Sequence, residues 1–96
     1  MKQGQAGGQS YAALGTSTVL NHTQVALAWE SVGTLPSDLQ AWRLKTRDKT
    51  SFDYAYEADP TNYMTANDGQ LEQTTAPAAI YVRAAAGKVL EFEGWS

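Results

Sequence analysis

The stretch Trp42-Arg43-Leu44-Lys45-Thr46-Arg47-Asp48-Lys49-Thr50-Ser51-Phe52-Asp53-Tyr54-Ala55-Tyr56 decides the fold class. Its period is two. Trp42, Leu44 and Thr46 alternate with Arg43, Lys45 and Arg47, and Phe52, Tyr54 and Tyr56 alternate with Asp53 and Ala55. Successive side chains of a strand point to opposite sides, whereas a helix would scatter these positions around its axis. Taken as an antiparallel hairpin with the loop Asp48-Lys49-Thr50, opposed residue numbers add to 98. That register sets Thr46 against Phe52, Leu44 against Tyr54, Trp42 against Tyr56 and Lys45 against Asp53. A loop one residue longer or shorter opposes aromatics with charges.

The C-terminal run reads the same way. The loop Ala85-Ala86-Gly87 makes opposed numbers add to 172, pairing Ile80 with Phe92 and Val82 with Leu90, with Tyr81 facing Glu91. Gly87 takes the last loop position, which needs positive φ. Between the two hairpins, Ala58-Asp59-Pro60-Thr61-Asn62 and Asn67-Asp68-Gly69 are turns flanking a short strand at Tyr63 to Ala66, and another strand is expected at Gln70 to Thr74. Upstream, Thr23 to Glu30 reads as a half-buried strand with Val25, Leu27 and Trp29 on one face and Gln24, Ala26, Ala28 and Glu30 on the other. Leu35-Pro36-Ser37-Asp38 turns the chain, and Ser37 with Gln40 caps at most one helical turn. Seven or eight short strands, each with one apolar side, bury those sides by packing sheet on sheet. The expected fold is all-β, a small antiparallel β-sandwich, with immunoglobulin-like and jelly-roll strand orders both open. The expected core is Val25, Leu27, Trp29, Trp42, Leu44, Phe52, Tyr54, Ile80, Val82, Leu90 and Phe92.

At 96 residues and 10.4 kDa the chain holds one core. Its first residues, with three glycines and three glutamines between Lys2 and Ser10, bury too little apolar surface to offset the entropy of ordering. Residues 1–13 are therefore read as an extended arm and 14–96 as the sandwich domain. Net charge −3 repels phosphate backbones, so nucleic acid is not an expected partner. The N-terminus has no apolar run, so neither a membrane span nor a secretory leader is expected, and the product is read as made in a cytoplasm.

No enzyme is expected. The chain has no cysteine, and its one histidine, His22, lies in a turn with no nucleophile beside it, so no metal or other cofactor is expected. Glu91 and Glu93 share a strand face, but cations across the sheet account for them more simply than acid–base chemistry does. The loops at Asp59 to Asn62 and Asn67 to Gly69 offer oxygen ligands without calcium-loop spacing. What remains is surface for docking. Arg43, Lys45 and Arg47 share one strand face, either answered by Asp53 and Glu57 across the sheet or free to meet an acidic neighbour. Trp95 either folds back onto a sheet or fills a pocket on a partner. The candidate partner-binding residues are Lys2, Gln3, Gln5, Gln9 and Tyr11 on the arm, together with Arg43, Arg47 and Trp95.

Residues 42 to 95, through Trp42-Arg43-Leu44-Lys45-Thr46-Arg47-Asp48, Phe52-Asp53-Tyr54-Ala55-Tyr56, Asn62-Tyr63-Met64-Thr65, Ile80-Tyr81-Val82-Arg83 and Val89-Leu90-Glu91-Phe92-Glu93-Gly94-Trp95, resemble small structural proteins of tailed bacteriophages and prophages. The resemblance implies an assembly role in a virion and does not say whether on capsid, neck or tail. Together with the arm, the basic stripe and the aromatic tail, it leads to the expectation of a non-enzymatic virion component, chiefly a capsid decoration or cement protein, in contact with the major capsid protein or neighbouring subunits and forming a homo-oligomer. An alternative expectation is a carbohydrate-binding or adhesive sandwich of a fibre or tail, using Tyr81, Tyr11, Tyr63 and Trp95.

Overall fold

In the computed structural model the described residues are 17–96, and every regular element among them is a strand. In chain order these are β1 (Ser17–Thr23), β2 (Glu30–Ser31), β3 (Ala41–Thr46), β4 (Phe52–Ala55), β5 (Met64–Ala66), β6 (Gln70–Gln73), β7 (Tyr81–Arg83) and β8 (Val89–Trp95). They form two four-stranded antiparallel sheets, ordered β1-β8-β3-β6 and β2-β7-β4-β5. The arm 1–13, with Lys2, Gln3, Gln5, Gln9 and Tyr11, lies outside the described residues.

The pairs β1·β8, β2·β7, β3·β6 and β4·β5 match the first half of the described chain to its second half in reverse, as the two arms of one long hairpin do. Ser17 with Trp95 and Glu30 with Val82 both add to 112, so one register runs from the first sheet into the second. The Gln24 N–H bond to Lys88 O (2.8 Å) and the Val32 N–H bond to Ile80 O (3.1 Å) keep it between and beyond those strands. Rolling the long hairpin over on itself adds β3·β8 and β4·β7, where Ala41 with Trp95 and Asp53 with Arg83 both add to 136. This strand order is that of a jelly roll.

Only the β4–β5 connection stays within a sheet; the other six cross the core. The two hairpins expected at 42–56 and 80–92 therefore do not form. Strand β3 pairs with β6 and β8, β4 pairs with β5 and β7, and β7 and β8 belong to different sheets. The inward side chains are nonetheless those expected: Trp42, Leu44, Thr46, Phe52, Tyr54, Ile80, Val82, Leu90 and Phe92 are all buried. Two strands with matching apolar sides can meet edge to edge in one sheet or face to face across a core about 10 Å thick. The loops select the second arrangement. The buried Thr46 hydroxyl donates to Thr50 O at 2.6 Å, and Thr46 N–H donates to Gly69 O at 2.9 Å, so the β3–β4 and β5–β6 crossings lean on one another. Gly69 has φ +75°, and a Cβ there would lie 2.5 Å from the carbonyl carbon of Lys49, so only glycine fits. Gly87 has positive φ as expected, at +88°, but turns the chain from one sheet to the other.

The core is closed by residues from both sheets. Trp42 stacks on Phe92 with ring centroids 6.1 Å apart, and Leu39, Val32 and Ala84 fill the ends. Fully burying a side chain of Leu or Phe size contributes about 2–3 kcal/mol. Three expected core members are elsewhere. Val25 and Leu27 are 81% and 73% exposed, and Trp29 is half-buried, because residues 24–29 form a loop and not a strand. Tyr56, expected opposite Trp42 within a sheet, lies past the end of β4 and is exposed, meeting Trp42 edge-on at 6.5 Å. Ser37 and Asp38 make a plain turn with no helical continuation.

Candidate functional site at the loop end of the roll

Four crossings meet at one end of the roll: 24–29, 47–51, 67–69 and 84–88. Gln24 is bonded by its backbone to Lys88 O and to Gly87 N–H, each at 2.8 Å, Arg47 N–H reaches Val89 O, and Lys88 Nζ bonds Asp48 Oδ2 at 2.6 Å. That ammonium is the main reason the Asp48 carboxyl is held down to about 2, with Thr50 donating to it as well.

The first of these crossings inverts the usual arrangement of polar and apolar groups. Gln24 is a polar side chain at 1% exposure, and its amide nitrogen donates to Ala26 O (3.0 Å) and Ala28 O (2.7 Å). Those bonds orient the amide so that its oxygen accepts from His22 Nε2 at 2.9 Å. Glu30 closes the loop from the other side. Its carboxylate accepts from Val25 N–H (3.0 Å), Ala26 N–H (3.1 Å) and His22 Nε2 (3.1 Å). Facing two oxygen acceptors, His22 Nε2 must carry its proton. The Val25 N–H bond is the largest cause that holds the Glu30 carboxyl below its ordinary range. With the polar groups turned inward onto one another, Val25, Ala26, Leu27 and Ala28 are left exposed to solvent. The result is an apolar tip on a backbone that is already ordered.

Alternation in Thr23 to Glu30 concealed this loop. The available signal was the run Val25-Ala26-Leu27-Ala28-Trp29, which has no polar residue at either set of alternate positions, whereas a strand with one wet face needs one.

The outer face of the first sheet carries the basic stripe. Arg43 Nη2 bonds Glu93 Oε1 at 2.9 Å, Arg47 Nε bonds Glu91 Oε2 at 3.0 Å, and Lys45 Nζ lies 3.8 Å from Glu91 Oε1. The stripe thus meets carboxylates of β8, and Lys45 lies near Glu91 and not the expected Asp53. Glu91 and Glu93 are held by these cations and do not converge on a cavity as a pair. A shallow depression of about 420 Å³ on this side is lined by Arg43, Leu44, Lys45, Gln70, Leu71 and Glu72.

Asp53 works on the other sheet. It accepts from Arg83 Nε (3.0 Å), Arg83 Nη2 (2.7 Å) and the Thr65 hydroxyl (2.8 Å). The Arg83 guanidinium lies 4.8 Å from the Trp29 ring centre and 4.6 Å from that of Tyr63. Its pKa is raised, first by Asp53 and then by the Tyr63 hydroxyl. Trp95, the last aromatic candidate, continues the strand β8. It ends β8 opposite Ser17 and Ala41, is 8% exposed, and its carbonyl accepts from Gln40 N–H at 2.8 Å. Alternation along β8 sets Trp95 on the side of Glu91 and Glu93, opposite the side that buries Leu90 and Phe92, and it is not part of the core cluster.

Among the described residues no group of three or more His, Cys, Asp or Glu side chains is placed to hold a metal ion. Comparison of the chain with protein-family models, curated proteins and solved structures finds no match.

Proposed function

We propose that this chain is a non-catalytic structural protein of a tailed-phage virion, a decoration or cement piece present in many copies, which docks on neighbouring virion proteins through its apolar tip. The observation that carries this reading is that Val25 and Leu27 stand in solvent on a loop whose backbone is bonded by the side chains of Gln24 and Glu30. An exposed apolar pair is unremarkable alone, but one on a pre-ordered backbone loses little further entropy on docking. The resemblance of residues 42 to 95 to phage structural proteins supports an assembly role in a virion, and the jelly roll is an architecture used by viral capsid domains. Residues 1–13 are a second proposed contact, adding affinity through repetition in a symmetric lattice. The test is sedimentation of particles from the producing host. The intact chain is expected to travel with the particles, and the double variant V25S/L27S to stay at the top of the gradient while remaining folded. Equal incorporation of that variant would remove the tip from the proposal, and absence of the intact chain from particles would remove the assembly role.

A second reading is carbohydrate binding at the outer face of the second sheet, where Trp29, Tyr63, Arg83, Asp53 and Thr65 form a row of rings and hydrogen-bonding groups. It ranks second because Arg83 already covers both rings. Glycan-array binding abolished by Tyr63→Ala would bring it to first place.

A further inference from the structure

The four sheet edges among the described residues are not alike. In the second sheet the edges are β2, of two residues, and β5, of three; in the first sheet they are β6, of four residues with Glu72 on it, and β1, of seven. Short or charged edges resist pairing with another chain. Strand β1, Ser17-Thr18-Val19-Leu20-Asn21-His22-Thr23, has no Asp, Glu, Lys, Arg, Pro or Gly, and its only titratable ring, His22, is occupied by Gln24 and Glu30. One side is bonded to β8 along its whole length; the other side is a sheet edge.

We propose that β1 is a homodimer interface, in which two copies pair their β1 strands antiparallel about a two-fold axis at Val19 and join their first sheets into one of eight strands. Symmetry selects the occupant. In a two-fold pair every residue meets a residue of the same strand, so charge of one sign on that strand would face itself or a residue that cannot neutralise it. Strand β1 is the one long edge that passes this condition; on β6, Glu72 already lies beside Arg43 in the sheet. The axis is placed by packing. Val19 is 62% exposed on the outer face, and a register that opposes it to its twin covers both, setting Ser17 against Asn21 and Thr18 against Leu20 of the second copy. This interface is distinct from the tip, so its failure leaves the docking proposal intact.

The experiment is sedimentation velocity of the full chain over a wide concentration range, beside Val19→Lys, Leu27→Ser and Val19→Cys. The chain contains no cysteine, so V19C supplies a single thiol at the axis. The intact chain is expected to dimerise reversibly and V19K to weaken the dimer by about ten-fold or more through like charges at the axis. L27S should leave it unchanged, and V19C should oxidise to a covalent dimer far faster than Val25→Cys, because directly opposed strand positions bring Cβ atoms near disulfide range. V19C under reducing conditions supplies the folded reference should V19K unfold. A monomer at every concentration overturns the proposal, as does a dimer indifferent to V19K, or cross-linking of V19C no faster than that of V25C.

Discussion

The charged face of the first sheet and the apolar tip at the end of the roll treat the same problem in opposite ways. On the sheet face, Arg43, Lys45 and Arg47 stand in solvent and are answered by Glu91 and Glu93 on the neighbouring strand. At the tip, the polar side chains Gln24 and Glu30 face the backbone of their own loop, and Val25 and Leu27 stand in solvent instead. Free surface therefore lies where the residue types alone do not place it. A row of exposed charges looks available in the sequence, but each cation here already has a carboxylate. The tip looks like core in the sequence, but nothing among the described residues covers it.

The largest effect should come from removing the group on which the tip is built. Gln24→Ala removes a buried amide together with its bonds to the Ala26 and Ala28 carbonyls and to His22, leaving Ala26 O with the Ala28 N–H and His22 Nε2 with Glu30, and it is expected to destabilise the fold by about 2–3 kcal/mol in urea unfolding. If the loss is under about half a kcal/mol, the tip is not a pre-ordered element and the comparison collapses.

Acid should open the tip before it disturbs the core. Glu30 and Asp48 both have carboxyls held below their ordinary values, the first chiefly by Val25 N–H and the second chiefly by Lys88. A carboxyl depressed in the folded state stabilises that state above its ordinary value and ceases to do so as pH falls through the folded one. For Asp48 the window runs from 3.8 down to about 2, and for Glu30 it lies below 4.5. The Val25 and Ala26 amide signals in NMR should move together in that range, and Glu30→Gln should abolish the movement.

Breaking the charged face should cost less. A double-mutant cycle on Arg43 and Glu93 is expected to give about 0.5 kcal/mol of coupling, shrinking as salt is added, because both side chains remain partly in water. A coupling above about 2 kcal/mol would mean that the face is a rigid element like the tip. The smallest effect on stability belongs to V25S/L27S, within about 0.5 kcal/mol of the parent in the same unfolding measurement, since neither side chain is buried. A large loss there would make the pair structural and remove the reason for assigning it to docking.

Much of the architecture was legible in the sequence. Trp42, Leu44, Phe52, Tyr54, Ile80, Val82, Leu90 and Phe92 were assigned to the interior by alternation alone, and all are there. The strands at 63–66 and 70–74 and the positive φ of Gly87 were equally readable. The tip was not, because its shape depends on Gln24 bonding carbonyls two and four residues on and on Glu30 reaching back to Val25 and Ala26. An alternating pattern records none of those bonds. Asp53 was read as the partner of Lys45 and is the partner of Arg83, a change that follows directly from which strands share a sheet.

The residue pattern by itself determined that the chain is built of strands and which side of most of them is buried, since the two-residue period of a strand is a local property of the backbone. Which strands lie side by side was settled by contacts between distant parts of the chain. An inward Leu44 and an inward Tyr54 satisfy the same demand for burial whether they meet along one sheet or across the core. The choice was made by distant groups, the Thr46–Gly69 contact and the register joining Ser17 to Trp95 among them.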